Sequence, residues 1–101
     1  MLDYARVVIV GGGPLGVSLL YHLSKEGWAD TLLIEKGELT SGSTWHAAGL
    51  LCNFNGNQTV SQIHQVSLDL YTKEIPKLTG DPSPFHQPGS LRVGFSQVEE
   101  E

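Results

Sequence analysis

Three features of the sequence predict an α/β fold. Arg6 to Val10 (Arg-Val-Val-Ile-Val) is an apolar run dominated by β-branched residues. Gly11, Gly13 and Gly16 follow it with G-x-G-x-x-G spacing, and an apolar-periodic segment begins directly behind them. Thr31 to Glu35 is a second short, nearly all-apolar run, so strand, helix and strand fit within about 30 residues. This pattern is a Rossmann-like βαβ unit with parallel strands and a right-handed crossover.

Each element has its own signals. The unbroken run before Gly11 suits a parallel strand buried on both faces. Gly11 permits the tight turn off the strand, Gly13 lets the backbone approach a pyrophosphate, and Gly16 lets helix and strand pack closely. Pro14 falls in the first helical turn, where its missing N–H has no intrahelical partner to lose. Pro14 to Glu26 reads as the helix. Leu15, Leu19, Leu20 and Leu23 form its apolar stripe, Lys25 lies in the last turn and Gly27 is the stop. The free N–H groups at the start of that helix suit an anion.

Glu35 ends the second strand, where a carboxylate can accept hydrogen bonds from the two hydroxyls of an adenosine ribose. A 2′-phosphate is repelled there, which disfavours NADP. On these residues alone the ligand is NAD or FAD.

Composition narrows the classes further. A chain of 101 residues makes one small domain at most. A net charge of −5, with no basic cluster, argues against a nucleic-acid partner. No run is long enough to span a membrane. Met1-Leu2-Asp3-Tyr4-Ala5 carries no positive charge, so no signal or transit peptide is expected. The expected location is cytoplasmic, or the mitochondrial matrix if a eukaryotic transit peptide is missing. Cys52 is the one cysteine, which suits a reducing compartment and a small buried side chain.

The stretch Gly37 to Leu51 is rich in small and hydroxylic residues around Trp45-His46, which allows close backbone approach to a ligand. Beyond a polar turn at Asn53 to Gln58, Thr59-Val60-Ser61-Gln62 has capping-box spacing, and a helix is expected over about Val60 to Lys77. Ile63, Val66, Leu70 and Tyr71 are its predicted buried stripe, with His64 on the polar side. Pro76 should bend or end it. A loop follows over Gly80 to Pro84, then a third strand over Gly89 to Phe95. Ser96-Gln97-Val98-Glu99 is a second capping box, opening a helix where the chain stops.

Glu35-Lys36-Gly37 followed by Leu39-Thr40-Ser41-Gly42-Ser43-Thr44-Trp45-His46-Ala47-Ala48-Gly49 resembles the dimethylglycine and sarcosine dehydrogenase group of amino-acid-oxidase-like FAD enzymes. Phe85-His86-Gln87-Pro88-Gly89-Ser90-Leu91-Arg92 extends the resemblance over most of the chain. It implies the N-terminal portion of a single FAD-binding domain, residues 1–101, whose remainder lies beyond Glu101. It also implies a cofactor surface made of Gly11, Gly13, Pro14, Leu15, Gly16, Glu35 and Lys36. Gly42, Ser43, Thr44, Trp45, His46, Ala47, Ala48, Gly49 and Leu50 complete that surface.

By the same resemblance, His46 carries FAD covalently through the flavin 8α-methyl. That carbon becomes electrophilic once it loses a proton, and a neutral imidazole can add to it. Ser43 and Thr44 are placed to hydrogen-bond the imidazole or the flavin. The implied activity is oxidative demethylation of a small N-methylated glycine, with oxygen or a flavoprotein as electron acceptor and room for tetrahydrofolate in the full-length protein. No catalytic acid or base, metal, nucleic-acid or membrane partner is assigned within the chain. One rival is a non-catalytic homologue like the regulatory subunit of pyruvate dehydrogenase phosphatase, a group without the Trp-His pair. The other is a plain NAD-binding module, which has no use for Ser43 to Gly49.

Overall fold

The first strand, β1, covers Val7–Val10, and the second, β2, covers Thr31–Ile34. They pair in parallel with Val7 opposite Thr31 and Val10 opposite Ile34. Helix α1, Pro14–Lys25, makes the crossover between them. The computed structural model describes residues 3–52, 55–82 and 85–94. They divide into two compact units, Met1–Leu50 and Leu51–Glu101.

In the first unit α1 packs against both strands. Gly16, Leu20 and Leu23 are half-buried with the spacing one helical face requires, and Ser18 and Tyr21 beside them are half-buried too. Leu15 and Leu19, expected on that face, are exposed at 87% and 48%. The helix therefore turns its glycine, not its first leucine, toward the sheet. A Cβ on Gly16 would overlap the Gly11 carbonyl oxygen and lie 3.4 Å from Ile9 Cγ2. Helix and strand approach as closely as a residue without a side chain allows. At the other end Gly27, at φ 90°, stops α1, and the Trp28 N–H turns back to donate to the Leu23 carbonyl.

Arg6 anchors the start of β1. Its Nε and Nη2 donate to Asp30 Oδ1 at 3.1 and 2.9 Å, and its guanidinium lies 4.4 Å from the Trp28 ring centroid. That hydrogen-bonded guanidinium holds the Asp30 carboxyl below its ordinary range.

β1 is covered on one face only, which corrects the expectation of burial on both. Ile9 is the one buried large apolar side chain among the described residues, whereas Val8 and Val10 are exposed. A βαβ unit places its crossover helix on one side of the sheet. The opposite face needs a layer that these residues do not supply.

In the second unit α2 runs Gln58–Asp69, a π-helical turn covers Leu70–Glu74, and α3 covers Ile75–Thr79. The cap is Asn57, two residues before the expected Thr59. Asn57 Oδ1 accepts from the N–H groups of Thr59 and Val60 at 2.9 and 3.2 Å, so the helix starts earlier than the capping box suggested. Pro76 does not end the helix. Just before it, the Ile75 N–H donates to the Leu70 carbonyl five residues back, and this widening lets the chain pass a residue that cannot donate. Gly80, at φ 74°, ends α3.

The half-buried face of this segment follows Val60, His64, Leu68, Tyr71 and Ile75. Ile63 and Val66 are exposed, and His64 belongs to the covered face, with a shielded Nδ1 that has no hydrogen-bond partner. Leu70 and Tyr71 are half-buried as expected. Cys52 is exposed, not buried. Residues 89–94 form no strand, because a strand requires a hydrogen-bonded neighbour and, among the described residues, the sheet consists of β1 and β2. Phe95, Asn53, Phe54, Ser83, Pro84 and the capping box at Ser96 to Glu99 lie outside the described residues. Among the described residues, no helix is long and apolar enough to cross a membrane.

Candidate functional site

The C-terminal ends of the two strands carry the site. β1 passes into Gly11-Gly12-Gly13, with Gly11 at φ 114°, and α1 starts directly behind. Gly13 is the helix N-cap and offers no side chain to it, so the first N–H groups of α1 are left facing the turn. Pro14 occupies the first helical position, as its fixed φ allows.

Glu35 leaves β2 and reaches across to this turn. The Gly12 N–H donates to Glu35 Oε2 at 2.7 Å, and the Gly37 N–H donates to Oε1 at 3.0 Å. These two donors, Gly12 first, hold the carboxyl below its ordinary value of 4.5. The side chain is therefore an ionised, oriented acceptor.

The loop after Glu35 folds back over the glycines. The Thr40 N–H donates to the Gly12 carbonyl at 3.0 Å. The Ser41 N–H and hydroxyl both bond the Glu38 carbonyl, at 3.2 and 2.8 Å. Leu39 covers Gly12, since a Cβ there would meet Leu39 Cδ2 at 2.6 Å. Thr44 Oγ1 would lie 3.2 Å from a Cβ on Gly13. From Gly42 the chain winds through tight turns, with the N–H groups of Trp45, His46 and Ala47 donating to the carbonyls of Gly42, Ser43 and Thr44.

These segments enclose an open cleft of about 650 Å³. Of the residues expected from sequence, Gly11, Gly13, Pro14, Leu15, Gly16, Glu35, Lys36, Gly42, Ser43, Thr44 and Ala47 line it. Trp45, His46, Ala48, Gly49 and Leu50 do not, and all five are exposed. No hydrogen bond joins the His46 ring to Ser43 or Thr44 among the described residues. Val10, Gly12, Gly37, Thr40 and Ser41 line the cleft and were missed. Gly12 had a signal, as the middle glycine in an unbroken run of three. Thr40 had none.

An oriented carboxylate facing a glycine turn at a helix N-terminus, at the ends of two parallel strands, defines a dinucleotide-binding βαβ unit. The chain belongs to the FAD dependent oxidoreductase family, whose model matches residues 6–101. Human mitochondrial dimethylglycine dehydrogenase is 51% identical over 96 residues, 95% of this chain and 11% of that protein. The 4-methylaminobutanoate oxidase (formaldehyde-forming) of Paenarthrobacter nicotinovorans is 42% identical over 90 residues, 89% of this chain and 11% of its own length. Mouse mitochondrial pyruvate dehydrogenase phosphatase regulatory subunit is 38% identical over 93 residues, 92% of this chain and 10% of that protein. The chain thus spans about a tenth of the curated relatives it matches.

Proposed function

We propose that this chain is the start of an FAD-binding domain in an oxidoreductase that demethylates a small N-methylated amino acid, with dimethylglycine or sarcosine as substrate. The observation that carries the cofactor reading is the Glu35 carboxylate, fixed by Gly12 and Gly37 at the mouth of the glycine turn. The cleft fits an adenine dinucleotide in three ways. A carboxylate stands where ribose hydroxyls need an acceptor. N–H groups at the start of α1 stand where phosphates need donors. Gly13 keeps the backbone bare beside Thr44 Oγ1, where a Cβ would crowd.

In this reading Glu35 accepts from both ribose hydroxyls, and its negative charge repels a 2′-phosphate. Gly11 to Gly16 hold the diphosphate. Ser43, Thr44 and Ala47 border the path toward the flavin, and His46 is the point of covalent attachment. FAD supplies the acceptor for the electrons removed from the substrate. The amine-binding residues belong to the rest of the protein, as does any tetrahydrofolate site. The names of the human and bacterial relatives support an N-methylated substrate, and the exposure of His46 leaves its ring accessible to a flavin.

The test is made on the full-length protein. After acid precipitation, flavin absorbance should stay in the pellet, and peptide mapping should place the adduct on the fragment containing His46. His46→Ala should release all the flavin into the supernatant. Release from the unmutated, fully loaded protein refutes the covalent claim. Turnover is then assayed with dimethylglycine and sarcosine and an artificial electron acceptor. The mouse relative's name favours a second reading, a regulatory protein without turnover. Bound flavin with neither substrate oxidised selects it.

A further inference from the structure

Thr40 stands out from the rest of the loop. Its φ is 67°, and among the described residues it is the one non-glycine with a positive φ. It occupies the third position of the turn Glu38 to Ser41, closed by the Ser41 N–H donating to the Glu38 carbonyl. A positive φ at that position is the geometry of a type II turn, where glycine or asparagine is the residue without strain. A β-branched residue there is a genuine outlier, and such outliers persist where surrounding contacts over-determine them, often at ligand sites. The contacts are present: the Thr40 N–H is tied to the Gly12 carbonyl, and Gly12 in turn donates to Glu35. Thr40 also lines the cleft, and its hydroxyl makes no hydrogen bond to the described residues. The neighbouring Ser41 hydroxyl is already committed to Glu38.

We infer that Thr40 is a ligand-binding residue, whose hydroxyl donates to an oxygen of the ribose-phosphate held beside Glu35. A strained backbone carries a side chain that glycine, the easier residue, cannot supply. This rests on the dinucleotide reading above and adds to it a contact that discriminates among ligands on the adenosine side.

The prediction is a trade of stability against affinity. The test uses the full-length protein carrying His46→Ala, stripped of flavin, with ADP as the probe. Calorimetric titration gives affinity, and melting without ligand gives stability. Thr40→Gly should raise the melting temperature and weaken ADP binding about 3- to 10-fold, the loss of one neutral hydrogen bond. Thr40→Ser should keep the affinity. Thr40→Val, which keeps the β-branch without the hydroxyl, should lose affinity with no gain in melting temperature. If the His46→Ala protein is too unstable to titrate, the same order is expected in the rate of FAD uptake by the apoprotein with His46 intact. Thr40→Gly improving both stability and affinity, or Thr40→Val binding as well as the unmutated site, overturns the assignment. Failure of the dinucleotide reading looks different: the protein with Thr40 intact takes up no ADP or FAD, and both claims fall.

Discussion

Gly16→Ala puts two effects of known size in opposition. In an open helix the change should stabilise by about 1 kcal/mol, because alanine loses less backbone freedom on folding. Here the new Cβ would overlap the Gly11 carbonyl oxygen, with Gly11 C at 3.1 Å and Ile9 Cγ2 at 3.4 Å. The obstacle is backbone, held in place by the Gly11 N–H donating to the Ile34 carbonyl at 2.9 Å, so it cannot swing aside. The start of α1 must lift away from Ile9, which is 7% exposed. Overpacking of this kind costs about 1–3 kcal/mol, and a backbone obstacle puts the cost at the upper end. The net expectation is a loss of about 2 kcal/mol, or about 4–8 °C for a domain of ordinary size. Gly12→Ala is the comparison. Its worst contact is Leu39 Cδ2 at 2.6 Å, on a side chain that is 59% exposed and can turn outward. Thermal melts of the full-length protein, followed by flavin fluorescence, should rank Gly16→Ala well below Gly12→Ala. A Gly16→Ala protein that melts at or above the unmutated one refutes the close approach of α1 to the glycine turn.

Two further outcomes follow from the same geometry. The Glu35 carboxyl is held below its ordinary value of 4.5 in the folded state, so its contribution to stability is complete above that value. It is lost as pH falls through the lowered folded value, and Glu35→Gln should flatten this acid limb in urea melts between about pH 3 and 6; parallel limbs would mean that the two N–H contacts do not form. Residues 1–101 alone should bind a hydrophobic dye and melt without a cooperative transition, because Val8, Val10, Leu15, Ile63 and Val66 are exposed. A sharp transition with bound FAD in that fragment overturns this expectation.

The fold was legible where its causes are local. The glycine spacing, the β-branched run before it, Pro14 and Gly27 mark β1, α1 and β2 to within a residue at each end. Which leucines of α1 meet the sheet was not legible. The glycine spacing placed Gly16 against the strand, but the leucine stripe drawn through Leu15 and Leu19 lies off the face that Gly16 fixes. The second unit shows the same limit. Asn57 competes with Thr59 for the cap, and a π turn carries the helix past Pro76. Both depend on three-dimensional hydrogen bonding that the residue pattern leaves open.

The site was legible as a set of segments, less so as a mechanism of positioning. Sequence named Glu35 as the ribose acceptor and passed over Gly12, because the G-x-G-x-x-G template treats the second glycine as variable. In the structure Gly12 donates to Glu35 through its N–H, accepts from Thr40 through its carbonyl, and lies under the exposed Leu39 side chain. One peptide segment thus links the glycine turn, the tip of β2 and the returning loop. Without those bonds Glu35 would be a mobile carboxylate at a strand end, and binding a ligand would first have to order it. With them, the carboxylate is ionised and aimed before any ligand arrives. On the reading proposed above, the Glu35 charge that repels a 2′-phosphate is held in place by the Gly12 and Gly37 N–H groups, and the sequence names the charge without the two donors that aim it.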